Sequence, residues 1–139
     1  SDTSFDPFSA QVVREGTDAT IVAYGPLVPV ALAAAEAAVE DGRSIEVIDL
    51  RSISPLDVPT VAASVAKTGR LIVAHEAPTF GGMGGELAAA ITERCFYSLQ
   101  APVIRVGGYY MPYPISRVEE EYVPDIDRIL EAVDRAFDY

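Results

Sequence analysis

The sequence predicts a three-layer α/β domain, and three observations carry that expectation. Four short apolar runs, Thr20-Ile-Val-Ala-Tyr24, Ile45-Glu-Val-Ile-Asp-Leu50, Leu71-Ile-Val-Ala74 and Val103-Ile-Arg-Val106, are rich in β-branched residues and mostly apolar on both faces, as buried parallel strands are. Their starts lie about 25 to 32 residues apart, which suits a strand, a crossover helix and the next strand. The stretches between them repeat apolar residues at helical spacing. With 139 residues, 50% of them hydrophobic, the chain has material for one core and little room for a second.

The first element is the weakest. Gln11-Val-Val-Arg-Glu15 alternates and is set off by Gly16 to Ala19, so it reads as an edge strand whose direction the pattern leaves open. After the first buried strand, Leu27 to Asp41 is Ala-rich, with Pro29 in its first turn and Gly42 placed to end it at positive φ. After the second, Asp57 caps a helix whose stripe is Val58, Val61, Ala62 and Val65, with Lys67 in the last turn and Gly69 beyond it. Glu86 to Cys95 then places Leu87, Ala88, Ile91 and Cys95 on one face, with an acid at its start and Arg94 at its end. The last helix follows Pro124 and Asp125 and carries Ile126, Ile129, Leu130, Val133 and Phe137 at helical spacing. Residues 1–9, polar and without period, are expected to be a flexible lead or an expression remnant, and 10–139 one domain from a longer subunit.

Composition excludes several function classes. Ten Lys and Arg against 21 Asp and Glu give a formal charge of -11, which repels phosphate backbones and anionic lipid, so neither a nucleic-acid nor a membrane partner is expected. Apolar runs are broken well before the roughly 18 residues of a membrane span, and no basic-then-apolar leader opens the chain. The single Cys95 makes no internal disulfide, and with one His it builds no ordinary structural zinc site. A reducing, cytoplasmic setting is the expectation.

Ligands of open parallel sheets sit beyond the carboxyl ends of the strands, so the loops there hold the first candidates. His75-Glu-Ala-Pro-Thr-Phe-Gly-Gly-Met-Gly-Gly-Glu86 runs from a buried strand into a Gly-rich helix start. The amides of Gly81, Gly82, Met83, Gly84 and Gly85 either cradle an anion or let the helix start close against a neighbouring backbone or subunit. The absence of a P-loop ending and of GxGxxG spacing, with Glu86 near the helix start, favours close packing. His75 and Glu76 form a candidate acid/base pair, although adjacent strand-end residues point to opposite sides. Cys95 lies on an apolar stripe and reads as a packed thiol. Asp49 and Arg51 read as a local ion pair.

Two further stretches look like partner surfaces. Gly107-Gly-Tyr-Tyr-Met-Pro-Tyr-Pro114 is aromatic and stiff, so Tyr109, Tyr110, Met111 and Tyr113 either meet another subunit or fold over the domain's own core. Glu119-Glu-Glu121 is a solvated face by default, but from Glu119 to Tyr139 eight acids stand against two arginines. A basic partner suits that charge.

In order along the chain, Ala19-Thr-Ile-Val-Ala-Tyr-Gly25, Glu46-Val-Ile-Asp-Leu-Arg-Ser-Ile-Ser-Pro-Leu-Asp57, Lys67-Thr-Gly-Arg70, His75-Glu-Ala-Pro78, Ala101-Pro-Val-Ile-Arg-Val106 and Pro112-Tyr-Pro114 form a familiar set. It resembles the C-terminal domain of the beta subunit of thiamine-diphosphate-dependent 2-oxo acid dehydrogenases, a transketolase C-terminal-like domain, over nearly all of Ala10 to Tyr139. His75-Glu-Ala-Pro78 and Cys95-Phe96 look more like the branched-chain than the pyruvate type. The resemblance implies a five-stranded mixed sheet with the first strand antiparallel, in an alpha-two beta-two enzyme that decarboxylates a 2-oxo acid and passes the acyl group to a lipoyl-acyltransferase. It also implies that thiamine diphosphate and magnesium belong to the full complex. Their phosphate end is held by the alpha subunit, no complete cofactor site is expected in this domain, and no catalytic residue is assigned to it.

What the resemblance leaves for this domain is assembly with the alpha subunit and a second beta subunit, and capture of the acyltransferase's basic peripheral subunit-binding domain. In relatives an acid often precedes the Ala-Pro of the last strand and helps bind that partner; here the position is Gln100. Asp134, Asp138 and Tyr139 on the acidic last helix, with the Tyr139 carboxylate if the chain ends there naturally, are the substitute candidates. Two alternatives stay open. One is the C-terminal domain of transketolase, deoxyxylulose-phosphate synthase or pyruvate:ferredoxin oxidoreductase, and the other is a free-standing small-ligand module using Gly81 to Gly85.

Overall fold

The computed structural model describes residues 9–52, 55–75, 81–107 and 126–139, with 81–83 described in their backbone only. Five strands, β1 (Gln11–Arg14), β2 (Ala19–Ala23), β3 (Ile45–Asp49), β4 (Leu71–His75) and β5 (Ile104–Gly107), form one sheet in the order β1-β3-β2-β4-β5. β2 pairs parallel with β3 and β4, β5 pairs parallel with β4, and β1 runs antiparallel along β3. The edge strand whose direction the pattern left open is thus antiparallel, with an irregularity in register between Val12 and Arg14.

Alternation along the buried strands divides their side chains between two cores. Ala19, Ile21 and Ala23 of β2, with Ile45, Val47, Ile72, Ala74, Ile104 and Val106, pack under α1 (Leu27–Ala38) and α4 (Ile126–Phe137). Val22, Ile48, Leu50, Leu71 and Val73 pack on the other side with residues of α2 (Val58–Thr68) and the α3 region (Gly81–Arg94). The path from β2 to β3 runs one way across the sheet and the path from β3 through β4 to β5 runs the other way. The helix layer changes with it, as crossovers of one hand require. α1 lays the fully buried Ala31, Ala34 and Ala35 on the sheet, small enough to bring the helix close.

Most of the predicted punctuation is present. Gly42 (φ 75) and Gly69 (φ 79) are left-handed where α1, extended by a 3-10 turn over Val39–Asp41, and α2 end. Asp57 caps α2, accepting from the Thr60 amide at 3.2 Å and its hydroxyl at 2.6 Å, and it also receives the Ala10 amide at 2.9 Å. Burial would raise the Asp57 carboxyl, but these hydrogen bonds outweigh it and leave the pKa lowered. Asp57→Ala is expected to cost about 1–2 kcal/mol, seen in denaturant unfolding as a lower midpoint with an unchanged slope. No loss would mean that solvent replaces the cap fully.

One boundary differs. The spacing places the third helix from Glu86, whereas α3 starts at Gly81, so Glu86 lies beyond the first turn. Glycine is a poor helix former, and within these first turns Gly84 and Gly85 pack closely against side chains of β4 and β5. Among the described residues no helix is long and apolar enough to cross a membrane.

Candidate functional site

The strand order reverses between β2 and β4, so the crevice where such sheets bind ligands lies between their carboxyl ends. His75 ends β4 there, and its ring is enclosed by glycines. A Cβ on Gly84 would fall 3.2 Å from the ring's Cδ2, and one on Gly107 would fall 2.8 Å from its Cε1. A Cβ on Gly85 would meet the Arg105 guanidinium at 3.0 Å. Close approach at Gly84 and Gly85 is therefore made within the domain, to side chains of β4 and β5, whichever further surface the segment meets. Gly81, Gly82 and Met83 belong to the same first turns of α3. Glu76, Tyr109, Tyr110, Met111 and Tyr113 lie outside the described residues.

The same edge holds a feature that sequence reasoning missed. Arg51 has φ 67, and Ser52 donates its amide to the Leu50 carbonyl at 2.6 Å, closing a tight turn centred on a non-glycine residue in the left-handed region. Asp49 supports the turn, accepting the Arg51 amide at 3.1 Å and pairing with its guanidinium at 3.9 Å. The local ion pair was legible in the sequence; the strained backbone was not, because no Gly or Asn marks it. Cys95 is buried, its thiol directed to the Ala62 carbonyl at 3.6 Å. Burial raises its pKa against a smaller opposing effect of Arg94, which suits an unreactive packed thiol. Among the described residues no group of three or more His, Cys, Asp or Glu is placed to hold a metal ion.

At the opposite, amino edge of the sheet the structure brings together residues that are far apart in sequence. Gln100 donates its amide to the Gly69 carbonyl at 2.8 Å, and its side-chain amide covers Gly69. The next residue, Arg70, donates Nε to the Ala136 carbonyl in the last turn of α4 at 3.1 Å and lies over the Phe137 ring at 4.2 Å. Arg43, on the segment leading into β3, lies over the same ring at 4.3 Å and pairs with Asp134. Gln100 is thereby joined through Gly69 and Arg70 to the end of α4, where Asp138 and Tyr139 are exposed. Asp134 differs from them, because Arg43 offsets its charge inside the domain. Sequence reasoning singled out the acids and Gln100 but missed Arg43, Arg70 and Phe137. The available signal was a basic residue just before each of two buried strands.

A third surface is a groove of about 1000 Å³ between the outer face of α3 and the β5 edge, lined by Ala88, Ala89, Thr92, Phe96, Pro102 and Val103 among others. Phe96 of this lining, 64% exposed, makes an edge-to-face pair with Tyr97, 98% exposed, their centroids 5.3 Å apart.

A mostly parallel sheet with an antiparallel edge strand, covered on both faces by helices, defines this as a doubly wound α/β domain. The chain belongs to the transketolase C-terminal domain family, whose profile matches residues 9–129. It is 56% identical over 131 residues to a pyruvate dehydrogenase subunit beta of Leifsonia xyli subsp. xyli, covering 94% of this chain and 39% of the relative. It is 50% identical over 127 residues to a 3-methyl-2-oxobutanoate dehydrogenase subunit beta of Mycobacterium tuberculosis, covering 91% of this chain and 36% of the relative. The chain therefore spans well under half the length of these relatives, and beta subunits named for both substrate types are among them. Among solved structures, a split-gene transketolase described as an inactive beta4 tetramer superposes with a TM-score of 0.75 at 29% identity, over 95% of this chain and 43% of that one.

Proposed function

We propose that this chain is the assembly and partner-binding domain of the beta subunit of a 2-oxo acid dehydrogenase, the component that decarboxylates a branched-chain 2-oxo acid or pyruvate and passes the acyl group to a lipoyl-acyltransferase. The observation that carries the reading is identity of 50–56% over more than nine-tenths of the chain with beta subunits of such enzymes. That level favours it over the transketolase, synthase and ferredoxin-oxidoreductase readings and over a free-standing ligand module. In this reading the complete cytoplasmic enzyme is an alpha-two beta-two heterotetramer. Thiamine diphosphate supplies the carbanion chemistry there, and it is held with magnesium outside this domain. In this reading no catalytic step is assigned to the residues of this domain. The Gly81 to Gly85 helix start and the Tyr109 to Tyr113 stretch are assigned to contact with the second beta subunit. The amino-edge surface of Gln100, Asp134, Asp138 and Tyr139 is assigned to the acyltransferase's basic peripheral subunit-binding domain.

The purified chain is expected to show no 2-oxo acid decarboxylation with thiamine diphosphate and magnesium, and to bind that basic domain with an affinity that falls as salt rises. The Debye length shrinks from about 10 Å at 0.1 M to about 3 Å at 1 M, and charges at the rim of an interface act mainly on the association rate. Cofactor-dependent turnover by the chain alone would overturn the division of labour. Binding that is insensitive to salt would move the partner off the carboxylates of Asp134, Asp138 and Tyr139.

A further inference from the structure

We propose that Arg43 and Arg70 are positioning residues that hold the last turn of α4 rigid, so that the amino-edge surface bearing Asp138 and Tyr139 is an ordered platform for a basic partner. The proposal rests on the partner reading above and adds the device that readies the surface. The last turn of a helix is where order is hardest to keep, because its final carbonyls have no partners within the helix. Here Arg70 satisfies one of them, at Ala136, and its positive charge suits the negative end of the helix dipole. Two guanidinium groups, from the segments leading into β3 and β4, lie 4.3 and 4.2 Å from the centroid of a single ring, Phe137. Arg43 also pairs with Asp134, one turn earlier in α4. The end of α4 is thus tied to the segments before two strands, and through Gly69 to Gln100 before a third. A surface ordered in advance loses less freedom on binding, which strengthens association without any added contact.

The arrangement can be tested because charge and rigidity pull in opposite directions. Arg43→Ala removes a cation and releases Asp134, making the edge more acidic. If charge alone governed capture of a basic domain, the variant would bind faster and at least as tightly. If the clamp governs it, the variant binds more weakly, by about fivefold and through faster dissociation, despite its extra negative charge.

The experiment compares wild type, Arg43→Ala and Phe137→Leu in the full-length beta subunit assembled with its alpha partner. It measures association and dissociation of the peripheral subunit-binding domain, together with amide hydrogen exchange. The expected result is faster exchange over residues 135–139, unchanged exchange in β2 and β4, and weaker binding in both variants. Unchanged exchange at the end of α4, or equal or tighter binding by Arg43→Ala, would overturn the proposal. If the sheet amides lose protection, Asp134→Asn serves instead: it breaks the ion pair but leaves both guanidinium groups on the ring, and it too is expected to speed exchange over 135–139. No binding by wild type at low salt would sink the partner reading, and the exchange data would still decide whether the clamp exists.

Discussion

Gly16→Ala is expected to be among the most damaging single substitutions in this domain, lowering stability by about 3 kcal/mol or more, at the extreme of what point changes do. A methyl group at Gly16 would stand 2.3 Å from the Ile45 carbonyl carbon and 2.4 Å from the Glu46 nitrogen, and both are backbone atoms of a central strand. No side-chain rotation relieves such a clash, so the β1–β2 turn or the amino end of β3 must move. Moving either also pulls the Gly16 amide from the Glu46 carboxylate, which it reaches at 3.0 Å. Urea or thermal unfolding of the purified chain is the measurement. A loss below about 1 kcal/mol would show that the turn has room to shift and that the close approach is not required. Gly25→Ala gives the complementary comparison, since a Cβ there meets nothing within 4 Å and only the φ of +64 opposes it.

The second large effect is expected at Glu46, a buried carboxylate, 2% exposed, on β3. It accepts from Lys67 at 2.6 Å and from the Gly16 amide at 3.0 Å, beside a hydroxyl cluster in which Thr20 bonds Ser64 and Thr68, each at 2.7 Å. Burial by itself would raise its pKa. The hydrogen bonds from Lys67, Gly16 and Ser64, with the Lys67 charge, outweigh that and leave it below 4.5. Glu46→Ala leaves a buried amide without its acceptor, while the half-exposed Lys67 reaches solvent. The expected cost is about 2–4 kcal/mol, near the lower end for a broken buried pair.

The pH dependence follows from the direction of the shift. A carboxyl with a lowered folded pKa contributes stability that is fully present above its unfolded value and is lost as pH falls through the folded value. Stability should therefore decline below about pH 4.5, and Glu46→Gln should make that acid limb shallower. An identical acid limb in wild type and Glu46→Gln would remove Glu46 from the list of responsible groups. Asp57, also lowered, would remain.

By itself the sequence determined the α/β class, the four buried strands, the helices between them and their ends at Gly42 and Gly69. These are written in local chemistry: β-branched runs apolar on both faces, capping at Asp57, and glycines at positive φ. It also marked Gln100, Asp134 and Asp138 as partner candidates, through charge and through the resemblance. Only the tertiary structure decided what those residues share. Gln100 and Ala136 are 36 positions apart, and they are linked through Gly69 and Arg70 because β4 and β5 start side by side while α4 returns its end to that edge. The same holds for Arg43, Arg70 and Phe137, whose contacts no local pattern encodes. Helical spacing read α2 as an apolar stripe, yet its buried face carries Ser64 and Thr68, whose partner Thr20 is more than 40 residues away. The Gly-rich helix start was legible as a motif, but apolar spacing alone placed the helix from Glu86, because glycine's own preference opposes helix. What permits it is long-range packing, with His75 of β4 and Arg105 of β5 in the space that side chains at Gly84 and Gly85 would fill.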